Sequence, residues 1–157
     1  MSKTTPATQA LTRAGIAFSL ARYDYDADVG RVGLAAAEAL GVSPAEVFKT
    51  LMAELDGKPV CAIVPSDEEV NMKKLAAALG GKSAQMMKPA DAERLTGYRV
   101  GGISPLGQRR PVPAALDELA SLYEEIFING GQRGLQIRIR PDDLVRALGC
   151  TWADLVR

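Results

Sequence analysis

The chain has 157 residues, 47% of them hydrophobic, with nineteen basic and nineteen acidic side chains. That is enough for one domain, residues 1–157, with a buried core; it argues against disorder and offers no net charge to attract a polyanion. Histidine is absent, which excludes Ser-His-Asp and Cys-His nucleophilic catalysis and the common histidine-bearing zinc sites.

The N-terminal "MSKTTPATQA" has no apolar core of signal-peptide length and no run approaches membrane-spanning length, so the expectation is a cytoplasmic protein. "TTPATQALTRAGI" reads as a helix capped by Thr5, with Pro6 in its first turn and Gly15 at its end. "AFSLARYDY" follows as a strand, and "RVGLAAAEALGV" as an alanine-rich helix stopped by Gly41. Ser43-Pro44 starts a further short turn of helix. "VFKTLMAEL" and "PVCAIVP" are β-compatible runs joined through Asp56-Gly57, a dipeptide suited to a tight hairpin. "NMKKLAAALGG" is a helix with a glycine stop, "SAQMM" a short strand, and "PADAERLTG" a short helix from proline to glycine. "PAALDELASL" is expected to be helical and "EEIFI" a strand; Asn129-Gly130-Gly131 then turn into the strand "GLQIRIR". "PDDLVRALG" is a late helix, while "TWADLVR" is ambiguous. Helices and strands alternate, but one strand pair is a hairpin, so the expectation is an α/β domain with a mixed sheet and peripheral helices.

The residues able to carry chemistry are few. Cys61 and Cys150 are far apart in sequence and lack CxxC spacing, which reads as two buried, reduced thiols. Alternation puts Lys49 on the side of Leu51, Ala53 and Leu55, with Phe48, Thr50 and Met52 opposite. Both faces are then largely apolar, and Lys49 must either snorkel from the strand end or project into a pocket. Gln136, Arg138 and Arg140 share one strand face, either solvated or part of a basic stripe with Arg109, Arg110 and Arg133. In "YDYD", Tyr23 or Tyr25 could stack on a base or donate a hydroxyl, or simply belong to the core rim. The stretch "VGGISPLGQRRP" from residue 100 matches neither a P-loop nor a dinucleotide fingerprint. It reads as a loop whose amides can approach a ligand closely, or as a tight corner.

Four motifs in order, "FKTL" from Phe48, "TGY" from Thr96, "VGGISPLG" from Val100 and "GGQRGL" from Gly130, make the chain similar to the YbaK/EbsC family. These proteins are free-standing relatives of the editing domain of bacterial prolyl-tRNA synthetase. The resemblance implies a mixed, partly closed β-sheet or barrel surrounded by α-helices. It implies hydrolysis of the ester between a wrong amino acid and the terminal ribose of tRNA, with Cys-tRNA(Pro) as the first substrate. Ala-tRNA(Pro), or a non-catalytic tRNA- or synthetase-binding module, are the alternatives. By the same resemblance Lys49, Thr50 and Tyr23 lie at the 3′-terminal adenosine and ester. Gly101, Gly102, Ile103, Ser104 and Pro105 form a loop facing the aminoacyl group. Tyr98, Gly130, Gly131, Arg133 and Gln136 complete the substrate site. No cofactor or metal is implied, and in YbaK-like members the substrate cysteine's own thiol is the proposed nucleophile. The expected partners are mischarged tRNA, through its 3′ aminoacyl-adenosine end, and prolyl-tRNA synthetase, with no membrane. Gln136 departs from the Asp common in close relatives, which leaves a neutral amide where a carboxylate is usual.

Overall fold

The computed structural model describes residues 4–24 and 32–156, so Tyr25, Asp26 and the Arg31 start of the second expected helix lie outside the described residues. Helix α1 (Pro6–Ala14) is capped as expected: the Thr5 hydroxyl accepts from the Thr8 N–H, and Gly15 closes the helix in the left-handed region. Strand β1 (Ser19–Arg22), helix α2 (Val32–Leu40) and a 3-10 turn (Pro44–Glu46) follow.

Asp56 and Gly57 have φ of 51° and 82°, so the chain reverses within two residues. Strand β2 (Phe48–Leu55) therefore pairs with β3 (Lys58–Pro65) along its whole length, Phe48 opposite Pro65 and Leu55 opposite Lys58. Helix α3 (Met72–Ala78) leads to β4 (Ala84–Met86), which pairs with β2 only at Ala53, Glu54 and Leu55. Helix α4 (Pro89–Thr96) ends at Gly97. Strands β5 (Ala114–Asp117) and β8 (Thr151–Ala153) add in parallel beyond β3, giving the order β4-β2-β3-β5-β8. The antiparallel order β1-β7-β6 forms a second sheet from β1, β6 (Ile126–Asn129) and β7 (Leu135–Ile139), and α5 (Pro141–Leu148) follows β7. Among the described residues one parallel bridge, Val47 to Phe127, joins the backbones of the two sheets.

One expected element changes type. "PAALDELASL" is not a helix but β5 followed by a 3-10 turn (Glu118–Leu122). Alanine, leucine and glutamate favour helix locally, yet Ala115 and Leu116 are fully buried beside Ala62 and Ile63 of β3. Small side chains are what this central strand accommodates, and burial overrides propensity. The buried Asp117 carboxylate completes the strand end, accepting from the N–H groups of Leu119 and Leu155 at 3.0 and 2.9 Å.

The central strands of the five-stranded sheet, β2, β3 and β5, are buried on both faces, as the two apolar faces of "VFKTLMAEL" imply. Phe48, Met52, Ile63 and Leu116 pack toward α1, α5 and the second sheet, where Leu11, Leu144, Ile126 and Ile137 meet them. Ala53, Val60, Ala62 and Ala115 face Leu75 of α3 and Leu155. Each such large side chain contributes roughly 1.5–3 kcal/mol by its removal from water. Among the described residues no helix is long and apolar enough to cross a membrane.

Candidate functional site

The fold leaves one strand edge incomplete. On the side of β2 away from β3, β4 covers residues 53–55 and β6 reaches only Val47. Residues 49–51 carry no neighbouring strand there among the described residues. The Met87 N–H donates to the Met52 carbonyl at 3.1 Å, which identifies the edge that Met52 faces. Strand alternation places the Thr50 backbone N–H and C=O on that same edge, inside the gap.

A cleft of about 520 Å3 occupies the gap. Lys49, Thr50, Leu51 and Met52 form one wall, and Gly101, Ile103, Asn129 and Gln136 line it as well. Met86, Met87, Pro89 and Ala92 add an apolar side, while Asp67, Glu68 and Glu69 give one end an acidic rim. Two polar atoms that line it are buried without a hydrogen-bond partner, Thr50 Oγ1 and Gln136 Oε1. Such atoms cost stability unless something satisfies them; the Thr50 hydroxyl can donate or accept, and Gln136 Oε1 accepts. Gln136 is only 2% exposed; the solvated face that its alternation with Arg138 suggests is reached by Arg138 alone of the two. Arg138 instead pairs with Glu125 at 3.1 Å and lies over the Phe127 ring.

Of the residues expected to form the site, Lys49, Thr50, Gly101, Ile103 and Gln136 meet in the cleft. The others do not line it. Gly102 sits directly on the second glycine loop: a Cβ there would lie 3.0 Å from the Arg133 nitrogen. Its own N–H is spent on the Arg99 carbonyl at 2.8 Å. Ser104 is fully buried and its hydroxyl accepts from the Leu106 N–H at 3.2 Å, with Pro105 buried beside it. The Tyr98 hydroxyl donates to the Leu106 carbonyl at 2.6 Å, and its ring packs where a side chain on Gly131 would be. Burial pushes that phenol's pKa well up, so Tyr98 stays a neutral donor. The Gly130 carbonyl accepts from the Thr5 hydroxyl at 2.6 Å, and Arg133 Nε donates to the Val100 carbonyl at 2.9 Å. Tyr23 donates its N–H to the Gly134 carbonyl at 3.0 Å and packs with Ala36, Val47 and Phe127.

The residue that the sequence reading passed over is Asn129. Its Nδ2 donates to the Gly101 carbonyl at 3.0 Å, and its Oδ1 accepts from the Gly131 N–H at 2.7 Å. One carboxamide thus clamps both glycine loops while lining the cleft. In the sequence it is an ordinary turn residue before two glycines, and only the packing of two loops some thirty positions apart reveals the role. Neither cysteine lines the cleft. Cys61 is buried and its thiol is pushed up to about 12, first by loss of solvent and then by the neighbouring Cys150. Cys150 is also raised by burial, so neither is poised as a thiolate nucleophile.

The chain belongs to the family of aminoacyl-tRNA editing domains: a model of the aminoacyl-tRNA editing domain matches residues 31–147. It is 37% identical over 120 residues to the Enterococcus faecalis protein EbsC, provisionally named a Cys-tRNA(Pro)/Cys-tRNA(Cys) deacylase; the match spans 76% of this chain and 73% of EbsC. A proline–tRNA ligase of Acidithiobacillus ferrooxidans is 34% identical over 84 residues, 54% of this chain but 15% of the ligase. A crystal structure provisionally described as a trans-editing enzyme for prolyl-tRNA synthetase superposes with a TM-score of 0.84 at 26% identity, covering 99% of both chains. The mixed α/β fold of this chain is that of the trans-editing protein.

Proposed function

We propose that this aminoacyl-tRNA deacylase removes cysteine from mischarged Cys-tRNA(Pro) in the cytoplasm, with prolyl-tRNA synthetase as its functional partner. The observation that carries the reading is the open edge of β2, where Lys49 and Thr50 line one cleft with Gly101, Ile103 and Gln136. The N–H groups of Gly101 and Ile103 make no hydrogen bond to the protein among the described residues, and donors so placed suit a carbonyl oxygen that gains negative charge. Similarity to EbsC supports cysteine as the amino acid.

The chain has no histidine to activate a hydroxyl of the cleft, and both thiols lie outside it. The substrate's own thiolate attacks its carbonyl carbon, forming a C–S bond and a tetrahedral oxyanion. Collapse breaks the ester C–O bond, and the ribose hydroxyl leaves after taking up a proton. Cysteine departs as its four-membered thiolactone, which water then opens. The protein contributes position and charge: Lys49 and the loop amides stabilise the oxyanion, and Thr50 and Gln136 accept from the bound adenosine or amino group. Asn129 fixes the loop that carries Gly101. Incubation with Cys-tRNA(Pro) and Ala-tRNA(Pro) separately tests the reading. Enzyme-dependent release of cysteine is expected; release of alanine alone moves the substrate to the small-residue alternative, and release of neither overturns the catalytic reading.

A further inference from the structure

A second hollow, of about 510 Å3, adjoins the cleft and contains Arg94, Arg109 and Arg110 together with Glu54 and Asp91. Met87 lines both spaces, and α4 divides them: Pro89 and Ala92 face the cleft, Asp91 and Arg94 the hollow. The two carboxylates of the hollow differ in their partners. Asp91 is paired with Arg94, and Glu54 accepts from Gln85 Nε2 at 3.3 Å. Arg109 and Arg110 are exposed and pair with no carboxylate among the described residues. Arg109 is nevertheless held in place. The Arg109 N–H donates to the Thr96 carbonyl at 2.8 Å, and its side chain lies over Gly97 at the end of α4.

Charge is polarised along the hairpin. The acidic rim Asp67, Glu68 and Glu69 follows the Pro65 end of β3, beside Phe48. Glu54 and Pro59, which border the arginine hollow, are paired near the opposite end of the same two strands. Six residues of strand separate Phe48 from Glu54, roughly 20 Å. A polyanion whose last residue occupies the cleft is repelled at the acidic end and attracted across α4, a distance of about 10 Å. Guanidinium groups suit phosphate there because they bind it through two parallel N–H bonds.

We infer that Arg109 and Arg110, which border the hollow, bind phosphodiester groups of the single-stranded nucleotides just upstream of the terminal adenosine, so that the 3′ end of tRNA crosses α4 to enter the cleft. The inference rests on the proposed deacylase reading, but its test separates the two. The Arg109→Ala/Arg110→Ala double variant and the wild type are compared on intact Cys-tRNA(Pro) and on 3′-cysteinyl-adenosine, which has no phosphate. In parallel, binding of uncharged tRNA is followed as a function of salt, which requires no chemistry. The expected result is a loss of kcat/KM at least about tenfold greater on the tRNA than on the adenosine ester. The slope of log affinity against log salt should become shallower by about 1.4, two single-strand phosphate contacts. An unaltered salt slope, or equal losses on both substrates, overturns the phosphate site. A wild-type protein that cleaves neither ester overturns the deacylase reading instead, while the salt slope still decides the arginine site.

Discussion

Replacing Asn129 separates the wall of the cleft from the stability of the fold. Asn129 is 7% exposed and makes two bonds, to the Gly101 carbonyl at 3.0 Å and from the Gly131 N–H at 2.7 Å. Asn129→Ala removes both and leaves a half-buried carbonyl and a half-buried N–H without protein partners, at roughly 1 kcal/mol each, about 2 kcal/mol in all. For a chain of this size that lowers Tm by roughly 4–8 °C. Asn129→Asp is the sharper perturbation. It keeps an acceptor for Gly131 but sets a carboxylate oxygen against the Gly101 carbonyl, so the first glycine loop must turn away while the second stays anchored. The expected outcome is a stability loss at least as large as that of the alanine variant, because a charge is also desolvated, measured by thermal and urea unfolding. The same variant should lower kcat/KM for Cys-tRNA(Pro) by at least about tenfold, because a small misplacement of a reacting group is costly. If Asn129→Asp unfolds at a lower temperature yet deacylates at the wild-type rate, the orientation of Gly101 does not matter to the chemistry and the clamp is structural only.

Four further outcomes follow from the same geometry. Lys49→Ala should reduce kcat/KM by about 100-fold, the size typical for losing an oxyanion-stabilising group, with little change in Tm because the side chain is only half-buried; unaltered turnover removes Lys49 from the mechanism. Gln136→Leu should leave stability unchanged or raise it, since it deletes a buried acceptor that has no partner, while lowering substrate affinity; a loss above about 2 kcal/mol would show that the amide was satisfied in the free protein. Cys61 holds its proton more tightly folded than unfolded, with its pKa raised from 9.0 to about 12. Its stabilising contribution is therefore complete below pH 9 and is lost as pH rises toward 12, at about 1.4 kcal/mol per unit for one proton. Tyr98 acts in the same direction, so urea unfolding should show stability falling above pH 9, and Cys61→Ala should make that fall less steep. The thiol of Cys61 should also resist modification at pH 8 until denaturant is added.

Much of this architecture is legible in the sequence where short-range chemistry decides it. Asp56-Gly57 turns the hairpin, Thr5 and Pro6 start α1, and Gly15, Gly97 and Gly149 stop helices in the left-handed region. The strand β5 is not legible, because its alanines and leucine describe a helix until β3 and β8 surround them. The site divides in the same way. Lys49 and Thr50 follow from strand alternation and family motifs, but no local pattern says that β4 and β6 part beside them. The stretch "VGGISPLGQRRP" is rich in glycine partly for packing: Gly102 lies on the backbone of residues 132–133, and a Cβ on Gly107 would collide with the Pro6 carbonyl. Asn129 and the burial of Gln136 depend on long-range contacts, so in the sequence one is an ordinary turn residue and the other belongs to a solvated face.

The central claim is that the substrate's thiol cleaves its own ester inside a cleft that supplies position and charge. Single-turnover hydrolysis of Cys-tRNA(Pro) and of the same tRNA carrying serine tests it most directly, because the two esters differ in one atom of the side chain. Cysteine should be released at least about 100-fold faster, reflecting the greater nucleophilicity of a thiol at neutral pH. Equal enzyme-dependent rates for the two esters would contradict the claim and assign the attack to water.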